Sequence, residues 1–353
     1  MRKFLAAVII LIPFLFTGTS FSEEQDPDLP KEVEIGRRAM KQIEEKWPLT
    51  SDPAIVSKLE MILNRIEPFM SRRIKWEIRL VKTEAMNAFC LPGGFIFFTT
   101  GIIDALNTDS ELAAVMAHEM IHADRKHSLR MAADTDKVTL GALAVMILSG
   151  GAAAPVILAQ VAQVAVTSAY TMELEAEADR LGLDALIKAG YSATGMITLF
   201  ERFIAEEYKQ PIHEYGIYMN HPESPKRLAT AVKTLHDRGI PIERKYSLGL
   251  LRTEIKEGRN DISLTVDGTE AVKGRKNVDT RAVMTSLKAA LDKYLQLEIA
   301  PYDIHIERGS LYIGNHFIAG NVDGMTKPNE IRANLMKAIN SARAKYPTSK
   351  FFK

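Results

Sequence analysis

Within five residues, His118-Glu119-Met120-Ile121-His122, the sequence holds two imidazoles and a carboxylate in an order suited to metal-assisted hydrolysis. On a helix the two histidines stand four apart on one face, so both can reach one Zn²⁺ at about 2.0–2.1 Å. Glu119 lies beside them, where it can take a proton from a water that the metal has brought to a pKa of about 7. Such a pair attacks peptide bonds at neutral pH. Three fixed residues also recur by chance, so the surrounding chain must supply the rest of the argument.

A third ligand is the first requirement. A site built on three histidines would continue to a glycine and a third histidine, but Arg125 and Ser128 occupy those positions. His127 falls one residue out of register and reads as a helix-end histidine. The other common solution is a glutamate from a separate helix, and the cluster Glu173-Leu174-Glu175-Ala176-Glu177-Ala178-Asp179 offers one. Glu175 lies four residues before Asp179 and seven before Gly182, so the three share a face on which the glycine permits close helix packing. Asp179 is then placed to accept the outer N–H of a ligating histidine. Glu173 and Glu177 fall on a solvated face.

Two elements must position this chemistry. Thr108-Asp109-Ser110-Glu111 is a capping box, and Leu112, Val115, Met116 and Ile121 recur behind it at helical spacing, which predicts a buried helix. Asn87-Ala88-Phe89 precedes a glycine turn and the strand Phe95 to Thr99. That segment is either an ordinary hairpin arm or an exposed sheet edge to which an extended peptide adds. Cys90, in the same stretch, reads as a small buried hydrophobe.

Taken together, Asn87-Ala88-Phe89, Pro92-Gly93-Gly94, the apolar run to Thr100-Gly101, the His-Glu-x-x-His helix and Glu175 to Asp179 resemble the gluzincin family of CAAX prenyl proteases and HtpX-like proteases. The likeness is strongest to its soluble periplasmic members and covers about Glu34 to Arg227, with Glu34-Ile35-Gly36-Arg37 in an entry helix. It implies an α+β chain whose main part is a largely helical zincin-type domain with a small edge-strand sheet. It also implies one Zn²⁺ held by His118, His122 and Glu175, with Glu119 as general base, Asp179 behind the ligands, and Asn87 and Ala88 against the substrate backbone. Relatives carry a His-Pro and an arginine after the third ligand, matched here by His221-Pro222 and Arg227. His221 is therefore a catalytic candidate, either as a gate over the metal or as a partner of the oxyanion. The preceding Tyr215 to Asn220 segment contains Gly216 and reads as a loop able to carry it in and out. Ser224-Pro225 starts the next helix.

Composition bears on the compartment. Arg2 and Lys3 precede the apolar segment Phe4 to Phe16, and Ser20-Phe21-Ser22 offers a signal-peptidase site, which predicts a secretory signal over residues 1–22 and a periplasmic mature chain. Loss of that segment would move the formal net charge from +1 to −1. A near-neutral chain gives no electrostatic case for nucleic acid. Cys90 is the only cysteine, so no intrachain disulfide can form and stability must come from a core.

Residues 138–170 carry no charge and are the one membrane candidate. A single crossing would part the histidines from Glu175, and arms from Val138 to Leu148 and Val156 to Tyr170 are too short to span about 30 Å. Two apolar helices beside the site are expected, with membrane-surface contact as the lesser reading. After about Lys245 the likeness stops, which divides the chain into residues 23–245 and a small α+β unit over residues 246–353. There Ile262, Leu264 and Val266 alternate with polar residues, Ile304 to Glu307 does so again, and Gly314-Asn315 marks a hairpin. Helical patterns at Thr280 to Leu297 and Pro328 to Tyr346 flank them, and His236, His305 and His316 show no ligand spacing. The expectation is an exported zinc endopeptidase acting on unfolded or misassembled envelope proteins. The competing reading is a chaperone-like outer-membrane assembly factor with a gated or latent site.

Overall fold

The computed structural model describes residues 26–106, 108–166, 170–209 and 224–346, without the side chains of 207–209. Its first part is organised around a four-stranded sheet of order β1-β2-β4-β3, with β1 Leu49–Thr50, β2 Glu77–Val81, β3 Ala88–Leu91 and β4 Phe95–Thr99. β2 and β4 run parallel, while β3 returns antiparallel to β4 through the Gly93-Gly94 turn, where both glycines hold positive φ. Strands β3 and β4 are buried and apolar on both faces, as expected of a sheet covered on both sides. On one face Ala88, Cys90, Ile96 and Phe98 join the core beneath helix α4 (Asp109–Asp124). On the other, Phe89 and Phe97 stack at 4.7 Å against the layer formed by α1 (Leu29–Lys46), α5 (His127–Asp136), α6 (Leu140–Leu148) and α7 (Ala154–Val166).

Helix α4 is the centre of the molecule, buried from Glu111 to Asp124 without interruption. It begins as its sequence requires, with the Thr108 hydroxyl accepting from the Glu111 amide. A helix buried all round must be held by its neighbours, and here α2 (Pro53–Ile66), α8 (Met172–Lys188) and α9 (Thr194–Lys209) pack around it. Both ends are pinned by buried charges. Glu111 takes Arg202 Nε of α9 at 2.6 Å, and Asp124 accepts from the Ser71 hydroxyl at 2.6 Å and the Arg72 amide at 2.9 Å. Gly182 of α8 lies against α4 so closely that a Cβ there would sit 3.3 Å from the His118 backbone.

The charge-free stretch forms α6 and α7, shorter than the sequence arms. Leu143, Ile147, Ile157, Leu158 and Val161 turn into the core beside Phe89 and Phe97. Among the described residues no helix is long and apolar enough to cross a membrane.

The C-terminal part has its own core. Strands β5 Thr253–Glu257, β6 Asp261–Val266 and β7 Thr269–Arg275 form one antiparallel sheet, and β8 Ile304–Glu307, β9 Ser310–Ile313 and β10 His316–Ala319 form another. Helices Val278–Tyr294 and Pro328–Lys345 cover them, and Ile262, Leu264, Val266, Leu291, Leu311 and Leu335 are among the buried contacts. The mixture of helices and small sheets is α+β. This part is tied to α9 by Glu201, which pairs with Arg244 at 2.6 Å and accepts from the Tyr346 hydroxyl.

Candidate metal centre

His118, Glu119 and His122 sit on α4, Glu175 and Asp179 on α8, and the close approach at Gly182 brings the two helices together. The inner nitrogens and the Glu175 oxygens converge. His118 Nε2 and His122 Nε2 are 3.0 Å apart, and they lie 3.6 and 3.5 Å from the Glu175 carboxylate. Three ligands about 2.1 Å from one tetrahedral ion would be about 3.4 Å from one another, so this donor set fits a zinc-sized cation. Among the described residues this is the one group of three or more His, Cys, Asp or Glu residues whose donor atoms meet in this way.

The outer side of each ligand is held differently. His118 Nδ1 lies 3.0 Å from Asp179 Oδ1, as the helical spacing of Glu175 and Asp179 suggested. Arg227, from α10 (Ser224–Asp237), is bidentate to Asp179 at 2.8 and 2.6 Å and reaches Glu175 at 3.0 Å. Burial alone would raise the Asp179 carboxyl, but the Arg227 charge and the hydrogen bonds from Arg227 and His118 outweigh it and hold the group well below the ordinary carboxylate range. One arginine thus balances two carboxylates.

His122 is clamped by aromatic rings. Tyr170 stacks on it at 3.9 Å, and His127 Nδ1 lies 2.9 Å from His122 Nδ1. His127 stands at a helix end, the first residue of α5, but it is fully buried against His122, brought back by Lys126 in the left-handed region at φ 59°. Burial lowers its pKa to about 4, against the opposing charge of Glu177. Glu177 is likewise not a solvated residue. It is half-buried among Arg125, His127 and Arg130, whereas Glu173 is exposed as expected.

Burial pushes the Cys90 thiol well above its usual value, with Glu119 adding to the effect. The thiol behaves as the apolar filler that its surroundings imply. β3 is an edge strand in the sheet order, but the expectation of an exposed edge meets a covered one: Ala88 is buried completely, and Asn87 Nδ2 donates to the carbonyl of Val166 at the end of α7. His221 and the loop Tyr215 to Asn220 lie outside the described residues. Three contacts escaped sequence reasoning: Tyr170 and His127 against His122, and the reach of Arg227 to both carboxylates. Only Arg227 left a signal, its place one turn after Ser224 and its match to the arginine that relatives carry.

A short histidine pair on one buried helix, completed by a glutamate from a second helix, is the arrangement of a gluzincin metallopeptidase. The chain belongs to peptidase family M48, whose family model matches residues 55–235. It is 26% identical over 212 residues to the beta-barrel assembly-enhancing protease of Escherichia coli (strain K12), covering 57% of this chain and 43% of that one. It is 32% identical over 167 residues to mitochondrial metalloendopeptidase OMA1 of Schizosaccharomyces pombe, covering 44% and 45%. The Arabidopsis thaliana protein of the same name is 30% identical over 155 residues, covering 44% of this chain and 30% of that one. The chain spans less than half the length of these curated relatives.

Proposed function

We propose that the protein is a zinc-dependent endopeptidase, exported to the periplasm, that cleaves unfolded or misassembled envelope proteins. The observation that carries this reading is the convergence of His118, His122 and Glu175 beside Glu119, in a chain of peptidase family M48. Zinc, when bound, would supply a Lewis acid and an acidified water. His118, His122 and Glu175 would hold it, and Asp179 and Arg227 keep His118 and Glu175 in place. Glu119 would take the proton of the attacking water and pass it to the departing amine. Catalytic use of His221, as gate or oxyanion partner, is part of the same proposal, as is pairing of substrate backbone with Asn87 and Ala88.

Among the described residues the site's side chains are buried. Relative exposure is 5% for His118, 1% for Glu119 and His122, and zero for Glu175 and Ala88. A peptide can therefore add to β3 only when neighbouring chain, the end of α7 included, gives way. This favours a gated protease over an always-open one, and it leaves room for an assembly role while the gate is shut. The basic, apolar start of the sequence supports export, and the name of the Escherichia coli relative supports envelope substrates. Exposed Val145 and Val156, within a charge-free stretch, support membrane-surface contact through 138–170. Co-sedimentation with vesicles before and after Val156→Asp tests that contact. Incubation of metal-loaded protein with an unfolded polypeptide, followed by mass spectrometry of the fragments, tests the activity. Internal cleavage is expected, and intact substrate at full zinc occupancy would overturn it.

A further inference from the structure

We infer that His127 is a positioning residue for the metal centre, a neutral imidazole whose Nδ1 accepts the Nδ1–H of His122 and so fixes how His122 presents Nε2. The inference rests on the reading of His118, His122 and Glu175 as a metal site. Two ring nitrogens 2.9 Å apart in a buried place need one proton between them. The Nε2 of His122 faces Glu175 at 3.5 Å and His118 Nε2 at 3.0 Å, so its lone pair is the one available to a cation. The proton of His122 then belongs on Nδ1. His127 must accept with Nδ1 and carry its own proton on Nε2, which lies 3.4 Å from Glu177 Oε2 without the alignment of a hydrogen bond.

The arrangement is built rather than incidental. The two histidines are five apart in sequence and on different helices, and they meet because non-glycine Lys126 adopts φ 59° and ψ 33°. Their rings are nearly perpendicular at 82°, and Tyr170 stacks on one face of His122 while its ring edge also meets His127 at 6.1 Å. The two histidine ligands thus have unlike supports: an arginine-balanced carboxylate behind His118 and a neutral ring behind His122. An outer partner of this kind sets both the orientation and the basicity of its ligand.

The test compares His127→Phe, which keeps the ring and removes both nitrogens, with His127→Asn, whose side-chain oxygen can stand where Nδ1 stood. Zinc affinity is measured by chelator competition, and the melting temperature of each metal-free protein is recorded beside it. His127→Phe should bind zinc about 10–100-fold more weakly, while His127→Asn recovers most of the loss. Nitrogen-15 correlation spectra of the zinc-loaded parent should show His127 protonated on Nε2 and His122 on Nδ1. Parent-like affinity in His127→Phe, losses that merely follow metal-free stability, or the opposite tautomers would overturn the inference while leaving the metal site standing. A parent that takes up no zinc overturns both.

Discussion

Arg227 holds together what would otherwise be an unstable collection of buried carboxylates. Glu175 and Asp179 are one turn apart on α8, and the Arg227 guanidinium that reaches both also lies over the Phe200 ring at 4.7 Å. Breaking a buried pair by removing one partner leaves uncompensated charge, so Arg227→Met should cost the metal-free protein about 3–5 kcal/mol in urea unfolding. A loss under about 1 kcal/mol, the range of exposed ion pairs, would mean that the clamp contributes little. Within the acidic cluster, Glu175→Ala should abolish tight zinc binding measured by chelator competition, and Glu173→Ala should leave it unchanged. Equal effects from the two would refute the ligand assignment. The convergence of the candidate donors was legible because their relation is local, two residues four apart on one helix and a carboxylate with its own partner four further on. The supports were not, because each depends on where a separate element lands. His127 reaches His122 only through a left-handed lysine, and no composition rule marks Lys126 for that conformation.

At the level of elements, the contact between α4 and α8 decides whether the donors meet. Gly182 permits it, since a Cβ at that position would press on the His118 backbone at 3.3 Å. Gly182→Val should therefore displace α8, cost about 1–3 kcal/mol by overpacking and weaken zinc binding as Glu175 withdraws. Thermal melting and metal titration of the same sample check the two effects, and a destabilised variant with parent-like zinc affinity would show that α8 is not the positioning element. Sequence reasoning found this face because glycine, glutamate and aspartate share a helical period. It did not find the covered state of β3, for a short apolar run reports that a strand is buried without saying which helix covers it. The end of α7 beside Asn87 is a packing outcome of residues 79 positions away.

Across the whole molecule, the C-terminal part is braced against α4 through α9. Glu201 pairs with Arg244, Arg244 continues to Glu298 at 2.9 Å, and the neighbouring Arg202 joins Glu111 at the start of α4. Arg202 also lies over the Tyr346 ring at 5.5 Å. The strands of this part could be read from alternation and from Gly314-Asn315, but its docking could not, since Glu201 looks in sequence like one more surface charge. Glu201→Ala should cost about 3–5 kcal/mol and let the C-terminal part melt first, giving two calorimetric transitions. One unchanged transition would contradict the brace. A zinc-loaded site with Glu119 as base should hydrolyse peptide bonds. Cleavage of an unfolded polypeptide by parent and Glu119→Gln, each with zinc content determined, measures this. Equal zinc and a rate about 10²–10⁴ lower in the variant are expected; equal rates at equal zinc would contradict a zinc peptidase with Glu119 as its base.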